Sequence, residues 1–141
     1  MALRGAGDAP AVYEATTRGV VVRVTPTFLP DQSDPRRPQF TWAYTVEIEN
    51  HGDETVKLVS RHWVITDARN HVEEVEGPGV VGEQPTLQPH EAFRYTSGCP
   101  LTTPSGEMHG SYRMVTGAGE VFEARIPHFS LHLPEATRRM H

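Results

Sequence analysis

The stretch Phe40-Thr41-Trp42-Ala43-Tyr44-Thr45-Val46-Glu47-Ile48-Glu49 decides the fold of this chain. Phe40, Trp42, Tyr44, Val46 and Ile48 alternate strictly with Thr41, Ala43, Thr45, Glu47 and Glu49. Successive side chains of a strand point to opposite faces, so the pattern lays five large apolar groups on one side and a polar set on the other. A helix would scatter the same five around its circumference. The stretch therefore predicts a half-buried central strand, ended by the turn-forming run Asn50-His51-Gly52-Asp53.

Toward the N-terminus, Val20, Val22 and Val24 predict one strand face, with Val21, Arg23 and Thr25 on the other. Pro26 and Pro30 confine the rest of that run to a sheet edge or bulge, because proline cannot donate to a ladder. Pro30 to Pro38 reads as a solvated connection without helical pattern. Toward the C-terminus, strands are expected over Val56 to Thr66, His71 to Glu76, Ala92 to Ser97, Met108 to Val115, Val121 to Ile126 and His128 to Leu133. Asp67-Ala68-Arg69-Asn70, Pro104-Ser105-Gly106 and Thr116-Gly117-Ala118-Gly119 supply turns. Seven or eight short strands at roughly 10–15-residue spacing predict an all-β, antiparallel β-sandwich. The expected organisation is a flexible arm over 1–17, one domain over 18–134 and a charged tail over 135–141.

Composition agrees with this class. Gly 12 and Pro 12 among 141 residues punctuate the chain too often for long helices. A net charge of −5 disfavours nucleic acid as a partner, since a polyanion binder needs the opposite balance. The single cysteine, Cys99, excludes an internal disulfide and a cysteine-rich zinc site. No apolar run is long enough for a membrane span. Met1 to Pro10 shows no signal-peptide core, so a cytoplasmic location is expected.

Few motifs carry chemistry. Gly77-Pro78-Gly79-Val80-Val81-Gly82 fits the glycine pattern of dinucleotide sites, but such sites need a helix to start there. Pro85 and Pro89 follow instead, so the dinucleotide reading fails. A tight structural loop remains the main expectation, with a backbone nest for a small anion as the alternative. The eight histidines (His51, His62, His71, His90, His109, His128, His132, His141) lack local chelating spacing. His128 and His132, four apart on a strand, would sit about 13 Å from each other. No cofactor or metal site is expected. Glu47 and Glu49, and Glu73, Glu74 and Glu76, read as solvated strand faces rather than a hydrolytic pair. Cys99 reads as a packed residue rather than a nucleophile. Trp42 and Trp63 are expected in the core, with Arg61 on or near the Trp63 face.

The order of several motifs carries a resemblance. Arg61-His62-Trp63-Val64-Ile65-Thr66 leads to Glu74-Val75-Glu76-Gly77-Pro78-Gly79-Val80-Val81-Gly82-Glu83-Gln84-Pro85. Tyr95-Thr96-Ser97-Gly98, Gly106-Glu107-Met108-His109-Gly110-Ser111-Tyr112 and Ile126-Pro127-His128-Phe129-Ser130-Leu131 follow. From about Val20 to Pro134 the chain resembles the bacterial ApaG family. His62 and His90 depart from the family pattern without touching the glycine run or the Gln84-Pro85 step.

The resemblance implies a fibronectin type III-like or immunoglobulin-like sandwich with no established enzymatic activity. It further implies genetic links to cobalt resistance and magnesium efflux, and a gene neighbour that hydrolyses diadenosine tetraphosphate. Related domains occur in an F-box protein and in a DNA-polymerase-delta-interacting protein, where the implied role is partner recruitment. Carried over, the family's nucleotide or pyrophosphate proposals place a phosphate-type anion at Gly77, Gly79 and Gly82, with Arg61 beside it. The leading expectation is a non-catalytic protein–protein interaction module. Anion binding at that loop and a factor associated with phosphoanhydride hydrolysis are the alternatives. Uncovered edge strands would also admit a homodimer.

Overall fold

The computed structural model describes residues 11–34 and 36–134. The strands are β1 (Tyr13–Thr17), β2 (Val20–Phe28), β3 (Phe40–Asn50), β4 (Val56–Asp67), β5 (Val72–Pro78), β6 (Thr86–Leu87), β7 (Ala92–Leu101), β8 (Gly106–Thr116) and β9 (Val121–Leu131). They form two antiparallel sheets, one ordered β1-β2-β3-β7 and the other β5-β4-β8-β9, with β6 pairing β4. The expected sandwich is what the chain builds, with nine strands among the described residues rather than seven or eight.

β3 follows its alternation without exception: Phe40, Trp42, Tyr44, Val46 and Ile48 are buried, and the residues between them are half-exposed. Burying a valine or isoleucine as fully as Val46 and Ile48 contributes about 1.5–3 kcal/mol each. The core is aromatic at its centre. Trp63 of β4 meets Tyr44 of β3, Phe129 of β9 and Tyr112 of β8 at centroid distances of 5.1, 6.0 and 6.3 Å. The Tyr44–Trp63 contact joins the two sheets and the other two lie within one, all with the edge-on geometry aromatic rings prefer. Trp42 packs against Phe28 and donates its indole N–H to the His132 carbonyl at 3.0 Å.

Four expectations need correction. The arm expected through residue 17 is ordered at Tyr13–Thr17, which pairs with β2 from Tyr13↔Val24 to Thr17↔Val20. Tyr13, Ala15 and Thr17 alternate with period two, and Tyr13 lies against Phe129 at 5.9 Å. Residues 1–10 of that arm, and the tail over 135–141, lie outside the described residues. Next, the two strands expected over 121–133 are one. Met108 pairs with Phe129 and Gly110 with Ile126, so β9 carries one extra residue opposite His109. A bulge tolerates Pro127 and shifts the inward phase from Ala124 and Ile126 to Phe129 and Leu131. Then, Pro30–Gln32 forms a single 3-10 turn where no helical element was expected, with proline at its start. Finally, β6 is a two-residue strand below the length that alternation can reveal.

The two ends of the sandwich differ. β9 packs against both β1 and β2, and the Arg125 N–H donates to Thr17 Oγ1 at 3.0 Å, which closes that side. On the opposite side, among the described residues, β5 pairs only with β4, and β7 only with β3.

Candidate functional site

The glycine run lies at this second side, and its hydrogen bonds define what it can do. Val80 N–H donates to the Glu83 carbonyl and Glu83 N–H to the Val80 carbonyl, both at 2.8 Å. Between them Val81 and Gly82 have φ of 43° and 82°. Reciprocal bonds around two residues of positive φ make a two-residue hairpin of the type I′ kind. Just before it, Gly79 N–H donates to the Val59 carbonyl at 2.9 Å. Gly79 has φ of 61°, and a Cβ there would lie 2.2 Å from the Glu83 carbonyl oxygen. Glycine is needed at 79 because the backbone doubles back on itself.

Arg61, on β4 opposite Gly77, completes the arrangement. Its guanidinium Nη1 donates to the Pro78 and Gly79 carbonyls at 2.9 and 3.0 Å. A Cβ at Gly77 would lie 3.1 Å from that guanidinium, so Gly77 leaves the room in which Arg61 lies across β5. The structure thus brings Arg61, Gly77 and Gly79 together as the family resemblance implied. However, the Gly79 and Val80 amides and Arg61 Nη1 all serve the loop itself. Gly82 sits apart at the tip, with nothing within 4 Å of a Cβ. A nest needs converging unpaired N–H groups, and the Gly79 and Val80 amides are already paired within the protein.

Beside the loop, the outer face of the larger sheet holds an open groove of about 410 Å³. It is lined by Ser60, Arg61 and His62 of β4, Glu76 and Gly77 of β5, Ser111 and Arg113 of β8, and Glu123 of β9. Its charges neutralise one another. Arg113 Nε donates to Glu123 Oε2 at 2.9 Å, which pushes the Arg113 pKa up, and Ser111 Oγ donates to Glu123 Oε1 at 3.1 Å. The carboxylates Glu76 and Glu123 stand on strands three spacings apart, about 14 Å at the backbone.

The remaining candidate groups are accounted for one by one. Cys99 is buried, and burial, helped by the nearby Glu73 charge, pushes its thiol up to about 11. A thiol so placed stays protonated at neutral pH and is a poor nucleophile. The Tyr95 and Tyr112 hydroxyls share a hydrogen bond of 2.5 Å inside the core, where burial raises both pKa values above the ordinary phenol range. Glu49 and Glu47 both receive Arg23, and the Arg23 bond holds the Glu49 carboxyl below its usual value.

Histidines stand singly beside carboxylates: His51 with Glu49, His62 with Glu74 at 2.8 Å, and His128 with Glu107 at 3.0 Å. The fold also stacks His109 on His128 at 5.9 Å, a pair the local spacing did not reveal. Among the described residues no three His, Cys, Asp or Glu side chains converge for a metal ion. Among the described residues no helix is long and apolar enough to cross a membrane.

One structural group escaped the sequence reading. Asn50, expected as a turn residue, is only 1% exposed. Its Nδ2 donates to the Glu54 and Leu87 carbonyls at 2.7 and 3.0 Å, and its Oδ1 accepts from Gly52 N–H at 3.0 Å. Nothing local distinguishes such a hub from an ordinary turn asparagine, because Leu87 is far away in sequence.

Comparison with known proteins is consistent across sequence and structure. Residues 30–116 match the model of a family described as the ApaG domain. The chain is 60% identical over 137 residues to the protein ApaG of Caulobacter vibrioides, covering 97% of this chain and 98% of that one. It is 61% identical over 123 residues to the protein ApaG of Beijerinckia indica, covering 87% and 95%. The crystal structure of an ApaA protein from Bordetella pertussis superposes with a TM-score of 0.81 at 48% identity, covering 89% of this chain and 99% of that one.

Proposed function

The chain belongs to the ApaG family, and from that premise we propose that it works as a non-catalytic protein–protein interaction module in the cytoplasm. The observation that carries this reading is the asymmetry of the sandwich. One side is closed by β9 against β1 and β2, while among the described residues β5 is paired only by β4 and β7 only by β3 on the other. Open strand edges are ready-made templates for an incoming chain, and a β-sandwich exposing them recruits partners by strand addition.

The chemistry of the groove supports the same reading. Arg113 is tied to Glu123, Arg61 Nη1 bonds the Pro78 and Gly79 carbonyls, and the Gly79 and Val80 amides are engaged within the protein. The family's link to cobalt resistance and magnesium efflux is then read as acting through a recruited partner. The test is affinity capture with the tagged full chain, alongside a turnover assay on dinucleoside polyphosphates with magnesium or cobalt. The expected result is one protein retained reproducibly in stoichiometric amount and no phosphate released. Phosphate release with turnover, or a folded bait that retains nothing, overturns the proposal.

A further inference from the structure

β5 has backbone to offer. In an antiparallel ladder alternate residues turn their N–H and C=O groups away from the neighbouring strand. Among the described residues, β5 is paired on one side only, by β4. Alternate residues from Val72 to Gly77 therefore hold donors and acceptors open to an added strand, while the Pro78 carbonyl is taken by Arg61.

The side chains on that strand select what can be added. Val72, Glu74 and Glu76 share the outer face and are all exposed, and Glu73 is exposed on the other face, toward Cys99. Across the β4 ladder these glutamates face Ile65, Val64 and His62 rather than lysine or arginine, and Glu74 shares one hydrogen bond, with His62 at 2.8 Å. Arg113, two strands away, is held by Glu123. A second copy of this chain pairing along β5 would set carboxylates against carboxylates, which is unfavourable directly across a ladder. An extended segment with lysine or arginine two residues apart has the opposite effect. It sets cations against Glu74 and Glu76, which lie about 7 Å apart along one face, with an apolar residue two positions further on meeting Val72.

Resting on the module reading above, we infer that the open edge of β5 docks an extended basic segment of a partner protein as an additional strand. The probe is a ten-residue synthetic peptide of threonines carrying two lysines two residues apart and a valine two positions beyond them, titrated into the isotopically labelled full chain. Amide shifts should be centred on residues 72–78 and saturate, and should weaken as salt is raised. The glutamate counterpart of the peptide should leave the spectrum unchanged.

In Glu74→Lys/Glu76→Lys the affinity should fall by roughly tenfold or more, since two favourable cross-strand pairs become repulsive. Asp31→Lys/Asp53→Lys, with the same charge change at exposed sites elsewhere, should bind as the parent does. Amide positions outside β5 report that the variants remain folded. Absence of saturation, shifts centred elsewhere, equal affinity in the Glu74/Glu76 variant, or self-association through β5 each overturn the inference.

The two proposals fail separately. A captured partner retained equally by the parent and by Glu74→Lys/Glu76→Lys removes the edge assignment and leaves the module reading intact. If no partner is captured, the peptide titration still decides the edge.

Discussion

Replacing Val81 by asparagine should stabilise this protein, although it exchanges an apolar side chain for a polar one. Val81 has φ of 43°, and a β-branched residue is the least suited to that region. The left-handed conformation costs an ordinary L-residue about 1–2 kcal/mol, and asparagine escapes much of that cost. Val81 is 56% exposed, so some apolar contact would be lost in the exchange. Val81→Ala measures that loss, because alanine discards the same contacts while keeping the backbone penalty. Asparagine should then exceed alanine by about 1 kcal/mol, or about 4 °C in Tm for a chain of this size. Urea unfolding with a shared m-value gives the difference directly. If asparagine proves no better than alanine, Val81 is not held at positive φ by the paired Val80 and Glu83 bonds, and the hairpin description of the glycine run fails.

Gly79→Ala should cost at least about 2 kcal/mol, from positive φ combined with the approach to the Glu83 carbonyl, whereas Gly82→Ala should lose only about 1 kcal/mol; equal losses in denaturant unfolding would contradict the close contact at 79. Asn50→Ala should destabilise by about 3 kcal/mol, because it strands the buried Leu87 carbonyl and removes three hydrogen bonds; a urea midpoint within error of the parent would refute the hub. The Cys99 thiol titrates near 9 unfolded and is raised to about 11 in the fold, so the folded state holds its proton more tightly. Its contribution is complete below pH 9 and is lost as pH climbs toward 11, a decline of about 2–3 kcal/mol to which the raised Tyr95 and Tyr112 add above pH 10. Urea midpoints measured from pH 8 to 11 should fall accordingly, and Cys99→Ala should flatten the early part of the decline.

Most of the sandwich was legible because burial on one face writes a period of two into the strand. β3 shows this at full strength, and β2, β4 and β8 show it well enough to be placed within a residue or two. The misreadings have local causes. Tyr13, Ala15 and Thr17 alternate with little apolar content, because an edge strand over Phe129 needs only one large inward group. The chain around Pro127 looks like two strands because a bulge reverses the phase, and alternation counted across the extra residue fails by one. Two residues, Thr86 and Leu87, cannot display a period at all.

The closeness of Arg61, Gly77 and Gly79 was legible, whereas the separation of Gly82 and the hydrogen bonding were not. Glycine spacing and the family resemblance together brought Arg61, Gly77 and Gly79 to one place, and the structure does so. What sequence could not supply is the direction of each donor. Whether Gly79 N–H faces a ligand or Val59 depends on a bulge in β4 between Leu58 and Ser60, which no residue pattern announces. The open edge of β5 was hidden for a related reason. Glu73, Glu74 and Glu76 read as a solvated face until the topology shows the strand to be terminal.

Native-state amide hydrogen exchange of Gly79, Val80 and Glu83, with and without pyrophosphate, tests most directly whether the loop is a closed support or an open anion cradle. All three amides should exchange slowly in the free protein and remain unchanged when pyrophosphate is added at millimolar concentration. Rapid exchange that becomes protected, with saturable shifts, as pyrophosphate binds would contradict the account and return the anion site to Gly77, Gly79 and Gly82.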